Sequence, residues 1–413
     1  MRFLFVNHHA SAPAFGNPYR TYYLARELVS IGHKVTIVAA AWSHIRQAQP
    51  ETGGNPLWTT IDGISYCFLP TRAYGMGSFS RVRNILGFLR SYRKAWREIA
   101  RRTTPDVVVE GTTHILPIYT SRRIACATGA TLVFESRDLW PETLIEITGA
   151  SPWHPFILLV GRAQRAALKS CDGVISTLVG AEKYYQEKGL PPKAFAHIQN
   201  GIDPADFEDR PEIDSDALLG LKALHQEADA VIGYAGSIGL VNAVDILMDA
   251  APRLAEMNVA VALIGKGERK EDLARRARAE GLDNVRFFDP VPKAQVIPVI
   301  RHFDLGFVGG KARPIHRHGV SPNKLFDYMA ASAPVLFCIA SPDHIVESAQ
   351  CGYEMPEPTA DRVIGAVEHF LALSPAERAE MGARGRSYAL ENFSYSVLAQ
   401  RYVEAVTAMG ARG

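Results

Sequence analysis

The chain reads as an α/β protein built from two doubly wound parallel sheets. Three observations predict this. Short apolar, β-branched runs alternate with helical patterns in two separate series. A turn-forming, acidic stretch divides the two series. The length, 413 residues, suits two or three domains of about 100–200 residues each.

The first series opens with a buried-type strand, Arg2 to Val6. Pro18 to Ile31 has helical spacing and is closed by Gly32, and Val35 to Ala39 is the next strand. Strand, loop, helix, strand is how a doubly wound sheet begins. Val107-Val-Val, Thr131-Leu-Val-Phe and Gly173-Val-Ile-Ser continue it. His197-Ile-Gln-Asn-Gly-Ile-Asp-Pro then signals a turn, and Asp206 to Asp216 is an acidic, solvated stretch. The second series runs through Val231-Ile-Gly-Tyr-Ala-Gly, Val259 to Gly265, Val285-Arg-Phe-Phe, Leu305-Gly-Phe-Val and Pro334-Val-Leu-Phe-Cys. The expected domains are 1–205 and 206–394. The last helical pattern, in residues 395–413, is free to pack back on the first domain.

Composition narrows the class. At 47% hydrophobic and 21% charged, the chain is neither a disordered nor a collagen-like polymer. The five cysteines form no C-x-x-C pair, as expected of unpaired thiols in a reducing compartment. No window reaches the roughly 18 apolar residues of a membrane span. The start lacks the long apolar stretch of a signal peptide. The expected address is therefore cytoplasmic, with any membrane contact peripheral. Net charge is +2, but residues 1–200 carry +10 and residues 201–413 carry −8. Such asymmetry marks a candidate interaction face.

Residues 78–102 form a basic amphipathic helix. Val82, Ile85, Leu86, Leu89, Tyr92, Trp96 and Ile99 make its apolar stripe. Arg81, Arg83, Arg90, Arg93, Lys94 and Arg97 lie on the other face, with Glu98 the lone acid of the segment. The plain reading is a buried stripe beneath solvated charges. The sharper one adds contact between the cationic edge and an anionic bilayer, with Phe79 and Phe88 toward lipid. No nucleic-acid module signature is present, so lipid ranks ahead of nucleic acid.

Three turns of the second series suit an anion. Gly236-Ser237-Ile-Gly239 follows a strand and precedes a helical run from Ala243, where free N–H groups and the helix dipole favour negative charge. Gly265-Lys266-Gly-Glu-Arg-Lys270 offers two lysines for a phosphate, or a plain solvated cap. Gly319-Val-Ser-Pro-Asn-Lys-Leu-Phe-Asp327 opens a helix near Asn323. Ser321, Asn323 and Lys324 stand at its first turn, ready for a diphosphate. Asp327, one turn on, would repel phosphate but suits a pair of ribose hydroxyls. His316-x-His318 could ligate a metal, but two ligands without carboxylate partners seldom make a site, so anion contact or plain solvation is favoured.

Taken together these pieces resemble family 4 glycosyltransferases, and the running order is matched over almost the whole chain. The segments that carry it are Phe15-Gly-Asn17, Phe134-Glu-Ser-Arg-Asp-Leu-Trp-Pro-Glu142 and Asn200-Gly-Ile-Asp203. Tyr234-Ala-Gly-Ser, Leu263-Ile-Gly-Lys-Gly, Asn284-Val-Arg-Phe-Phe and Pro322-Asn-Lys-Leu-Phe-Asp-Tyr-Met-Ala330 follow. Arg137-Asp-Leu-Trp-Pro-Glu142 is most similar to the branch that makes O-antigen, capsule and exopolysaccharide repeat units, which includes N-acetylfucosamine transferases. The resemblance implies the GT-B fold, with two Rossmann-like domains facing a cleft. It also implies a retaining, metal-independent transfer from a nucleotide-diphosphate sugar, UDP favoured, to a polyprenyl-diphosphate-linked saccharide at the inner face of the membrane. No cofactor is implied.

By the same resemblance Asp138 is the catalytic candidate, positioning the acceptor or stabilising the developing sugar cation. Capping of the following helix is its plain alternative. Gly16 and Asn17 would meet the donor phosphates, and the backbone near Val291 the base. Three departures stand out. The family's Glu-x7-Glu is Gly319 and Asp327 here. Its Arg and Lys at the first donor turn fall on Ser237 and about Asn242, leaving the charge to Lys266, Lys270 or Lys324. Arg137 stands where many members have His. Two other functions compete: a nucleotide-sugar epimerase of the same fold, and a degenerate, non-catalytic binding subunit. A nicotinamide dehydrogenase is disfavoured, because Gly265-x-Gly267 lacks the third glycine of the fingerprint.

Overall fold

The computed structural model describes residues 1–16, 20–74, 78–111, 114–208 and 212–411. It divides into two compact units, residues 1–199 with 395–413, and residues 200–394. The division falls at Gln199/Asn200, ahead of the expected 205/206, and the C-terminal helix belongs to the first unit.

The N-terminal unit is an eight-stranded sheet. Its strands are β1 (Arg2–Val6), β2 (Lys34–Ala40), β3 (Leu57–Ile61), β4 (Ile64–Leu69), β5 (Val107–Gly111), β6 (Thr131–Ser136), β7 (Gly173–Ser176) and β8 (Phe195–His197). The order is β3-β4-β2-β1-β5-β6-β7-β8, parallel except for the β3–β4 hairpin. β1, β5 and β7 are almost wholly buried, as parallel strands covered on both faces must be.

Helices α1 (Arg20–Ser30), α2 (Ser78–Thr103), α3 (Ile118–Thr128), α4 (Glu142–Thr148), α5 (Pro155–Ser170) and α6 (Ala181–Glu187) connect the strands. Crossovers to the left and right of β1 place helices on opposite faces. On one face α3 packs against both α2 and α5, while α1 packs on the C-terminal helix. The outward stripe of α2 differs from the one expected. Phe88 is fully buried and stacks with Tyr92, 6.0 Å between centroids, whereas Leu86 is exposed. Asn84, Phe88, Tyr92, Ala95 and Ile99 form the inner face, so Phe88 is core and unavailable to lipid. The Phe79 side chain and Asn17 lie outside the described residues.

The C-terminal unit is a six-stranded parallel sheet. Its strands are β9 (Ala230–Ala235), β10 (Val259–Ile264), β11 (Val285–Phe288), β12 (Leu305–Gly309), β13 (Val335–Cys338) and β14 (Gly352–Glu354), in the order β11-β10-β9-β12-β13-β14. Helices α7 (Asp216–Glu227), α8 (Asp245–Glu256), α9 (Lys270–Glu280), α10 (Lys293–Ile300), α11 (Asn323–Ala330), α12 (Ile345–Ser348), α13 (Ala360–Ala372) and α14 (Pro375–Phe393) cover it. The last helix, α15 (Tyr395–Gly410), returns to the N-terminal unit. There Tyr395, Leu398, Tyr402, Val406 and Met409 complete the core, and Tyr395 stacks on Tyr23 at 5.1 Å. Among the described residues no helix is long and apolar enough to cross a membrane.

Candidate functional site

In an open parallel sheet, ligands bind beyond the carboxyl ends of the strands, where the strand order reverses. Both sheets have such a point, between β1 and β5 and between β9 and β12. At the second of these, β9 ends in Ala235-Gly236, with Gly236 at φ +150. A Cβ on Gly236 would lie 2.3 Å from Cε of Lys324. The lysine side chain thus passes close over the glycine, whose φ few other residues adopt. The Lys324 ammonium sits 5.3 Å from the Tyr234 ring centroid. It has no hydrogen-bond or ion-pair partner among the described residues, and burial lowers its pKa, with Asp327 opposing.

Asp327 lies on the next turn of α11 and is half-buried. Its carboxylate also lacks a hydrogen-bond partner among the described residues. Desolvation raises its pKa to about 7; Lys293 and Lys324 pull it down and Asp206 pushes it up. An ammonium and a carboxylate, both uncommitted and three residues apart, leave a place for a phosphate beside a pair of hydroxyls. Tyr328, on the inner face of α11, accepts the Ala235 N–H at 2.9 Å and so locks the helix to the end of β9.

The other expected donor residues are placed less uniformly. Lys266 is exposed at the β10–α9 turn and Asn323 is exposed at the start of α11. Lys270 donates to the Phe288 carbonyl at 2.8 Å and to Asp289 at 2.7 Å. Its charge is thus spent on the end of β11, which removes it from the phosphate set. Ser321 holds the Asn200–Gly201 turn: its hydroxyl accepts the Asn200 N–H at 3.0 Å, and the Asn200 amide donates to its carbonyl at 2.7 Å. Ser237 is exposed, and its carbonyl accepts from Tyr234 and Asn242. Val291 packs against the core just ahead of α10.

The helix after the first donor turn starts at Asp245, not near Ala243 as expected. A 3-10 turn at Leu240–Asn242 and left-handed Ala243 intervene. Asp245 in that first turn pairs with Arg269 at 2.6 Å. A carboxylate occupies the helix N-terminus, which leaves Gly236 and Lys324 as the groups at this turn that could take an anion. Gly319 has φ +103; a glutamate there would be strained, which accounts locally for that departure from Glu-x7-Glu.

In the N-terminal unit Asp138 follows β6. It is half-buried, without a hydrogen-bond partner for its carboxylate among the described residues. Burial raises its pKa and neighbouring Arg137 opposes the shift. The capping alternative does not hold, since α4 is capped by Pro141 with no side-chain bond. Gly16, at φ +108, closes a 3-10 turn against Gln47.

Sequence reasoning passed over the histidines at the first switch point. His8 follows β1 and His114 follows β5. Asn84 gives its amide hydrogen to the Arg72 carbonyl, so its oxygen accepts from His8 Nε2 at 2.7 Å. His8 Nδ1 is then an acceptor, and His114 Nε2 donates to it at 3.0 Å. Desolvation lowers the pKa of His8 to about 4 and holds His9 and His114 well below the usual range, which favours the neutral form of each. His114 Nδ1 is buried and has no partner among the described residues. Only the pairing of β1 with β5 brings residues 8 and 114 together.

Among the described residues one group of three side chains has metal-ligand proximity: His344, Glu347 and Glu354. Glu354 there accepts the N–H groups of Val346 and Glu347 and pairs with His344, which is a helix cap.

Comparison with known proteins gives two family matches. Residues 19–206 match the Glycosyltransferase Family 4 model, and residues 229–372 match Glycosyl transferases group 1. WcaI of Escherichia coli (strain K12), by name a colanic acid biosynthesis glycosyl transferase, is 24% identical over 202 residues. That match covers 48% of this chain and 49%, about half, of WcaI. WbjE of Pseudomonas aeruginosa, a glycosyltransferase by name, is 21% identical across 74% of this chain and 76% of its own. The crystal structure of Anabaena HepE in complex with UDP and glucose superposes with a TM-score of 0.65 at 13% identity, covering 99% of this chain and 100% of that one.

Proposed function

The chain belongs to the family 4 glycosyltransferases, with their two-domain GT-B fold, and on that premise we propose that it builds a bacterial surface polysaccharide. In this reading it moves a sugar, with retention, from a nucleotide-diphosphate donor to a polyprenyl-diphosphate-linked saccharide. A UDP-sugar is the favoured donor. The protein works without a metal, at the cytoplasmic face of the membrane.

The observation that carries the reading is the uncommitted Lys324–Asp327 pair beside Gly236. Charge builds on the leaving diphosphate as the glycosidic bond breaks. Lys324 stabilises that charge, and a preplaced cation in a half-buried site does so without reorganising. Asp327 accepts the ribose hydroxyls. Asp138 acts on the sugar and acceptor, where a desolvated carboxylate stabilises positive charge at the anomeric carbon or orients the incoming hydroxyl.

The test is a panel of nucleotide sugars offered with a polyprenyl-diphosphate-linked saccharide. Release of nucleoside diphosphate that depends on the acceptor supports the transferase. Conversion of the donor alone supports an epimerase. Absence of nucleotide binding in calorimetry leaves a non-catalytic subunit.

A further inference from the structure

Helices α2, α3 and α5 form one layer of the N-terminal unit. α2 and α3 each follow a strand of the parallel sheet, α5 follows β6 by way of α4, and each leads to the next strand. All three therefore begin at the carboxyl edge of the sheet and run back along it. Their outward stripes repeat one pattern. On α2 the exposed residues run from Arg83 through Leu86 to Arg90, Arg93, Arg97 and Arg101, with Arg81 exposed just ahead. On α3 they run from Tyr119 to Arg122 and Arg123, and on α5 from Leu158 and Leu159 to Arg162, Arg165 and Lys169. Steps of three and four keep each series on one face.

The apolar ends add up. Leu86 is 53% exposed, Tyr119 49% and Leu159 41%, and just ahead of α5 Trp153 reaches 81%. Large side chains scattered singly over a surface need no explanation, but here they fall in the first half of three adjacent helices or just ahead of it. The three helices hold 13 lysines and arginines and one carboxylate, Glu98, which is paired with Arg102 at 3.1 Å.

We propose that this three-helix face docks on an anionic phospholipid bilayer. Leu86, Tyr119, Trp153, Leu158 and Leu159 enter the interface, and the cations behind them lie at the level of the lipid phosphates. Trp and Tyr favour that interface. The single-sign charge selects an anionic surface, while the exposed leucines select one with an apolar interior. A nucleic acid supplies the first and not the second. The geometry also turns the carboxyl edge of the sheet, with His114 and Asp138, toward the lipid. The inference rests on the proposed function only in taking the acceptor to be lipid-borne; it extends the contact from α2 to α3 and α5.

The test uses the full-length protein with phosphatidylcholine vesicles, with and without about one third phosphatidylglycerol. Binding is expected only to the anionic vesicles, falling with added salt. Two pairs of substitutions at exposed positions, Leu158→Gln with Leu159→Gln and Arg162→Gln with Arg165→Gln, should each weaken it about tenfold or more. Nucleotide affinity, which reports a folded protein, should stay unchanged. Brominated lipid should quench the emission of Trp153, and Trp153→Phe should abolish that quenching. Wild-type binding by both pairs, an unquenched Trp153, or tighter binding to duplex nucleic acid than to vesicles overturns the proposal. Transfer to a short-chain, water-soluble acceptor reads the enzyme separately. Transfer without vesicle binding rejects the docking face alone, and α5-dependent vesicle binding without transfer rejects the transferase alone.

Discussion

In the proposed function, Lys324 is the residue on which donor binding turns. A charge-assisted hydrogen bond is worth about 1.5–3 kcal/mol, so Lys324→Ala should raise the donor KM about 10- to 100-fold and change kcat less. A titration of wild type and variant with UDP by calorimetry checks it, and equal affinities remove the phosphate role. Asp138→Asn should do the reverse, leaving donor affinity near wild type while turnover falls about 100-fold or more. Single-turnover kinetics separate the two. Asp327 adds a pH dependence. Its pKa is raised to about 7, so its carboxylate forms as pH rises through that value. The ionised form is the better acceptor for ribose hydroxyls. Donor KM should therefore fall between pH 6 and pH 8 by roughly the change in ionised fraction, and Asp327→Asn should flatten the profile. Lys324 and Asp327 stand out in the sequence because they lie within one turn, whereas Asp138 is proposed only through the family resemblance of Arg137-Asp-Leu-Trp-Pro-Glu142. His8 and His114 were not legible there, because residues so far apart meet only through the pairing of β1 with β5.

At the scale of elements, the donor turns work by backbone contact. Gly265 has φ +148, and a Cβ there would lie 1.8 Å from the Gly236 carbonyl oxygen. Nothing flexible stands between the two turns, so the clash must move one of them. Gly265→Ala is expected to destabilise the C-terminal unit by about 3 kcal/mol or more and to weaken donor binding through the displaced Gly236. Denaturant unfolding with a UDP titration reads both effects. Most strands of both sheets were legible as apolar runs, since a strand buried on both faces has little else to be. The β3–β4 hairpin was missed although Asp62-Gly63, at φ +50 and +76, is a strong two-residue turn signal. β8 and β14 have three residues each, too few to show a period. The stripe of α2 was misplaced because two apolar registers overlap on it. Phe88 turns inward against His8 and His114, whose rings lie 4.7 and 6.3 Å from it beyond β1 and β5, information absent from the helix itself.

At the scale of the whole molecule, the chain crosses between its units twice, at Gln199/Asn200 and at Ser394/Tyr395. The last helix therefore brings Arg401 and Glu404 to the N-terminal unit, and over residues 1–199 with 395–413 the net charge is +11, against −9 for residues 200–394. Net charge thus opposes a diphosphate in the C-terminal unit, and Lys324 has to overcome that locally. The same topology makes the stability of the N-terminal unit depend on the final residues. Tyr402 is fully buried there beside Phe5, 5.9 Å between centroids. Tyr402→Ala leaves a cavity costing about 3–5 kcal/mol, or roughly 10 °C in the melting of a unit of this size. If UDP is the donor nucleotide as proposed, it binds only folded protein, so it should raise the transition of the C-terminal unit by mass action and leave the other in place. Calorimetry of the full chain should then show two responses that separate, with Tyr402→Ala lowering one transition and UDP raising the other. A Tyr402→Ala shift confined to the UDP-sensitive transition would assign the last helix to the wrong unit. A joint shift of both would make the two units one cooperative block.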